Sequence, residues 1–285
     1  MLVIAGTVPD PNFPLVTGPA YLEGRSLKVG NYLIPILRGT PALVAAAIRT
    51  AEFVGDKPPH VLLAGDTGRG GGSRLVYQHI VENAHSFAAA TLTFHYLQPE
   101  VDWHNRILMA LDALPLPPVR IADAGFMYAA KMSGYATSYD LFTPDVGELA
   151  FLADEKAPHP FYTRGFILHQ DQQAPELIKR AYAHDNAAGH LLVKGAVDLF
   201  ASGENIHWRI DSPGCEVMEA MGGTGDTITG MASALIASGI HMEKACHMAA
   251  LANRHAGMLT QPTPATQVVE IIRAIPQALA MCTGD

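Results

Sequence analysis

The chain has 285 residues, of which 49 % are hydrophobic and 16 % charged, with a formal net charge of −8. That much apolar surface offsets chain entropy and excludes a disordered protein, and the length is that of one domain, 1–285, around one sizeable core. The acidic balance, with no cluster of Lys and Arg, argues against a nucleic-acid surface, and no run reaches the ~18 apolar residues of a membrane span.

In chain order, the opening Met1–Gly6 is too short for a signal h-region and lacks a basic flank. Short apolar runs read as buried strands at Tyr32–Leu37, Val61–Ala64, Thr91–Tyr96, Val119–Ala122, Gly165–His169, Leu191–Val193, Leu199–Ala201 and Ile206–Ile210. Between the first two, Pro41–Val54 reads as a helix, with Thr40 as N-cap, Pro41 at N1 and Gly55 as its stop. Further helices are expected at Pro175–His184, Asp226–Ser238, Glu243–Leu259 and Gln267–Met281, with Gly239 ending the second of these. Alternating strands and helices predict a mainly parallel sheet covered on both faces, with the last three helices forming a layer and Asp226–Ser238 buried. Ligands then belong at the carboxyl ends of the strands.

Cys215, Cys246 and Cys282 stand apart and form no disulfide framework, which fits a reducing cytoplasm. Thirteen histidines fall in no zinc spacing, so no metal-ligating set is assigned, and a divalent cation is expected only with a nucleotide. The low charge fraction predicts a surface partly covered in a homo-oligomer.

Four segments can carry chemistry. Gly222-Gly223-Thr224-Gly225-Asp226 precedes a helix: glycines let amides approach a ligand, the helix start attracts anions, and Asp226 can take a proton beside a bound phosphate. An ordinary glycine turn with Asp at a helix start explains the same residues. Lys194 ends a strand, where it either neutralises phosphate or marks the exit into solvent. In Thr143-Pro144-Asp145-Val146-Gly147-Glu148 either Thr143 or Asp145 caps a short helix, or the loop faces a ligand. Gly65 to Ser73 follows a strand, and its amides can meet a phosphate or hydroxyl, but it lacks the Lys of a P-loop and does not fit G-x-G-x-x-G.

In their joint order, T-P-x-x-G-E at 143–148, K-G-A at 194–196 and G-G-T-G-D at 222–226, these segments resemble the ribokinase-like superfamily, and within it the ADP- or ATP-dependent NAD(P)H-hydrate dehydratases. Asp145 stands where that family carries His, exchanging a donor or acceptor for a carboxylate that only accepts. The resemblance implies a three-layer αβα fold with a central, mainly parallel sheet, and a lyase that phosphorylates the hydroxyl of hydrated NADH or NADPH and eliminates phosphate. It implies ADP or ATP with Mg2+, phosphate held by Gly222, Gly223, Thr224 and Gly225, and Asp226 as catalytic base. Lys194, Gly195, Ala196, Val197 and Asp198 line the nucleotide, and Ala46, Gly65, Gly68, Asp123 and Asp145 lie near the substrate. Two alternatives share the site: an ATP-dependent kinase of a sugar or other small alcohol, and a non-catalytic nucleotide-binding protein.

Overall fold

The protein is described from a computed structural model over residues 1–157 and 173–283. Strands β1 (Leu2–Val8), β2 (Val16–Glu23), β3 (Ser26–Val29) and β4 (Tyr32–Pro35) precede helix α1 (Thr40–Val54). Alternation then sets in with β5 (His60–Gly65), α2 (Gly71–Glu82), β6 (Thr91–His95), α3 (Val101–Asp112), β7 (Val119–Ala122), α4 (Gly125–Met132) and β8 (Leu141–Phe142). After α5 (Val146–Ala153), α6 (Ala174–Ala183) and β9 (His190–Val193), the hairpin β10 (Asp198–Ser202) and β11 (Asn205–Ile210) leads to α7 (Thr224–Ala237), α8 (Met242–Thr260) and α9 (Val268–Cys282).

The strand order is β11-β10-β9-β8-β7-β6-β1-β5-β2-β3-β4, and the pairs from β5 through β1 to β9 are all parallel. β1 is buried along its whole length, as its unbroken apolar run requires of a strand covered on both faces. Its side chains divide between two cores: Ile4 and Val8 pack with α1, α7, α8 and α9, while Val3 and Ala5 pack with α2 through α6. The sheet edges are antiparallel, β10 and β11 at one end and β2 to β4 at the other. The expected helical layer is present, completed by α1, which packs against α7 so closely that a Cβ on Gly230 would lie 2.1 Å from the Leu43 carbonyl.

One local expectation needs correction. The N-cap of α1 is Gly39, at φ 66°, and Thr40 is already helical, its hydroxyl engaged with His95 Nδ1 at 3.0 Å rather than capping the helix. The strand expected at Gly165–His169 lies outside the described residues.

Candidate active site

The carboxyl ends of β6, β7, β8 and β9 and the start of α7 enclose a cavity of about 610 Å³. Gly223, at φ 104°, turns the chain into α7 in a space bounded by Arg38 Cα and Val268 Cγ2, both 3.2 Å from where its Cβ would be. Among the described residues, no side chain caps α7. Its first-turn amides therefore have no side-chain cap beside the cavity, and the positive end of its dipole favours negative charge there.

Asp226 stands in that first turn with both oxygens held. Oδ2 accepts from the Gly39 amide at 2.7 Å, and Oδ1 lies 3.0 Å from His95 Nε2. Burial alone raises its pKa, but the hydrogen bond and charge of His95, the Lys194 ammonium and the Gly39 amide outweigh it and hold the carboxyl below the usual carboxylate range. Asp226 is thus ionised at neutral pH.

Beside it, Lys194 Nζ donates to Asp123 Oδ2 at 2.8 Å, which also accepts from Thr229 Oγ1 at 2.6 Å. Thr229 in turn lies 2.9 Å from Thr143 Oγ1, so β7, β8, β9 and α7 are tied together at one point. Burial works against the ammonium, but Asp123, Glu148 and Asp226 hold Lys194 above the ordinary lysine range. Asp145 and Glu148 form a capping box on α5, Asp145 Oδ1 accepting from the Glu148 amide and Glu148 Oε2 from the Asp145 amide. Each keeps a second oxygen, and both residues line the cavity. Across it, Arg254 clamps the turn after β9, donating to Asp198 Oδ2 at 2.8 Å and to the Ala196 carbonyl at 2.9 Å.

Of the residues expected from the sequence, Lys194, Gly195, Ala196, Asp198, Asp123, Asp145 and all five of Gly222–Asp226 line this cavity. Val197, Ala46, Gly65 and Gly68 do not. Val197 packs against the core. Ala46 is fully buried in α1 against Gly230. Gly65 abuts the Asp10 carbonyl, where a Cβ has no room. Around Gly68, Asp66 Oδ1 accepts from the amides of Gly68, Arg69 and Gly70 and Oδ2 from Ser73, so the amides expected to meet a ligand are already filled by a carboxylate of the same loop. His95, Arg38, Tyr96, Asn253 and Arg254 were not read from the sequence. His95 and Tyr96 end a recognised strand, which was a usable signal; Arg254 sits mid-helix and carries none.

The fold also brings His95, Asp123 and Asp226 to within 4.8 Å of one another, a grouping that spacing along the chain conceals. Their lone pairs are engaged by Lys194, Thr229 and each other, and Lys194 already supplies the positive charge a cation would bring.

The layered fold, with a glycine turn leading into an uncapped helix beside a buried Asp and Lys, is that of a ribokinase-like α/β protein. Among solved structures it is similar to phosphofructokinase-2 from Escherichia coli in complex with fructose-6-phosphate, with a TM-score of 0.56 at 15 % identity over 98 % of this chain and 99 % of that one. Pyridoxal kinase from Staphylococcus aureus in complex with ADP gives 0.55 at 12 % identity over 90 % and 87 %. Residues 105–277 match the sequence model described as NAD(P)H-hydrate dehydratase. An uncharacterised protein of Methanocaldococcus jannaschii is 39 % identical over 83 % of this chain and 98 % of its own length. A bifunctional NAD(P)H-hydrate repair enzyme of Hyperthermus butylicus is 35 % identical over 31 % of this chain and 16 % of that enzyme. The chain belongs to the NAD(P)H-hydrate dehydratase family.

Proposed function

We propose that the protein restores NADH or NADPH from the hydrated nicotinamide, using ADP or ATP to phosphorylate the added hydroxyl and then eliminating phosphate. The observation that carries this reading is the ionised Asp226 carboxylate, fixed by His95 and Gly39 in the first turn of an uncapped helix inside the cavity. Asp226 removes the hydroxyl proton as that oxygen attacks the terminal phosphorus and the phosphoanhydride bond breaks, the shortened nucleotide leaving with the electron pair, while the first-turn amides of α7 receive the charge on the transferring group. The C–O bond then breaks, phosphate leaves with its electron pair, and the neighbouring C–H proton is lost, which restores the ring double bond. Asp145 and Glu148, each with an oxygen free for a hard cation, would hold the Mg2+ that accompanies the nucleotide and offsets its charge.

A second reading is favoured by one feature. The cavity is rich in carboxylates, with Asp145, Glu148, Glu216 and Glu219 on its walls, and such groups accept hydrogen bonds from the hydroxyls of a sugar or other polyol. On that reading the phosphorylated product is kept.

The experiment incubates the protein with hydrated NADH or NADPH, magnesium and either ADP or ATP, following return of the reduced-nicotinamide absorbance, with Asp226→Asn as control. Recovery that needs both nucleotide and Asp226 is the expected result. Absence of recovery, with nucleotide consumed on a polyol panel, replaces the dehydratase with the kinase.

A further inference from the structure

We propose that His95 is a positioning residue for the reaction, locking the Asp226 carboxylate in its working orientation and itself locked by Thr40. This rests on the reading of Asp226 as the base. The chain of contacts is continuous: Thr40 Oγ1 lies 3.0 Å from His95 Nδ1, and His95 Nε2 lies 3.0 Å from Asp226 Oδ1. Both ring nitrogens are therefore committed, which fixes the plane of the imidazole with Nδ1 toward the Thr40 hydroxyl and Nε2 toward the carboxylate.

Three elements meet to make this arrangement. His95 is the last residue of β6, Thr40 opens α1, and Gly6 in β1 lies beneath them: a Cβ there would fall 2.6 Å from Thr40 Cγ2 and 2.7 Å from the His95 carbonyl. His95 is fully buried and Thr40 is 1 % exposed, whereas Asp226 opens onto the cavity. A Thr-His-Asp order resembles a nucleophilic triad, but Thr40 does not line the cavity, so the relay runs the other way, from a buried anchor to an exposed base. The Tyr96 ring, 4.4 Å from the imidazole between centroids, covers the same corner. With Oδ2 on the Gly39 amide and Oδ1 on His95, the carboxylate cannot rotate, and only its remaining lone pairs point at substrate.

The test uses two replacements and two readouts. His95→Gln keeps an N–H donor near the Nε2 position, and His95→Leu removes it. Expected is a fall in kcat of about 10–100-fold for His95→Leu with the nucleotide KM unchanged, since a misplacement on the scale of 1 Å costs up to ~100-fold, and partial recovery in His95→Gln. The second readout needs no turnover: carbon-13 NMR of the labelled Asp226 carboxyl should titrate at higher pH in His95→Leu than in the unmodified protein, with His95→Gln between. If both proteins are inactive on hydrated NADPH but the titration moves, the dehydratase reading fails and the positioning role stands. An unmoved titration, or equal losses in kcat and KM for both variants, overturns the role. Thr40→Val, which keeps the shape and removes only the anchor, should shift the titration in the same direction by less, and covers the case in which His95→Leu does not fold.

Discussion

Lys194 Nζ and Asp123 Oδ2 are 2.8 Å apart, with side chains only 9 % and 2 % exposed. The lysine that the sequence offers to a phosphate is thus already paired, and its charge balances a carboxylate in the wall of the cavity. It also borders the glycine turn, standing 3.9 Å from the position a Cβ on Gly225 would take.

Removing one partner of such a pair strands the other. Lys194→Met is expected to destabilise the protein by about 3–5 kcal/mol, the usual result of leaving a buried charge uncompensated. The double variant Lys194→Met with Asp123→Asn should recover much of that loss, because it strands no charge. Urea unfolding midpoints of the two variants check this. Equal midpoints would show that the pair does not carry the charge balance.

Gly230 tests the other structural requirement. A Cβ there would lie 2.1 Å from the Leu43 carbonyl and 3.2 Å from Ala46 Cβ, so backbone rather than a flexible side chain must yield. Gly230→Ala should destabilise by at least about 1–3 kcal/mol through overpacking and, by displacing α7, lower turnover as well. Gly71→Ala, where nothing lies within 4 Å of the added methyl, is the matched control and should melt at or above the unmodified protein. Thermal melts of the two compare a filled contact with an open one.

How far the sequence revealed these features follows from what each signal measures. Helices α1, α7, α8 and α9 were readable because apolar runs and glycine or proline punctuation are local properties. β1 is not among the expected strands, because Met1–Gly6 reads only as a stretch too short for a leader peptide, though the unbroken burial of Leu2–Val8 makes it a central strand. The glycine turn and Asp226 stand together along the chain and were found together. His95 and Arg254 were missed because their partners, Asp226 and Asp198, are 131 and 56 residues away, and only the sheet order brings them within reach. Asp66 misled for a related reason: its loop looks like a ligand cradle until its own carboxylate is seen to fill it.

Arg254 is expected to matter for nucleotide rather than chemistry. It joins α8 to the turn at 195–198 through Asp198 and two carbonyls, a forked geometry that an ammonium cannot reproduce. Arg254→Lys should raise the nucleotide KM several-fold with little change in kcat, measured with ADP and ATP in turn. A fall in kcat at constant KM would move Arg254 to the reacting centre.

The last prediction concerns pH. Although burial opposes it, His95, Lys194 and the Gly39 amide hold Asp226 below its reference value of 3.8, so the folded protein favours the ionised carboxylate more than the unfolded chain does. The group therefore adds stability that is complete above that reference and is lost as pH falls through the lower folded value. Asp226→Asn, which has no charge to lose, should be less stable than the unmodified protein at pH 7, and the gap between them should close on acidification only below about pH 4. Catalysis follows the same sign: no acid limb of kcat/KM between pH 5 and 7 should belong to Asp226, while Asp226→Asn should lower the rate by at least about 10²–10⁴-fold. Denaturant midpoints and rate profiles over this range decide it. A gap that stays constant down to pH 3 would mean that Asp226 titrates alike in the folded and unfolded chain, and the network around it would not be holding a charge.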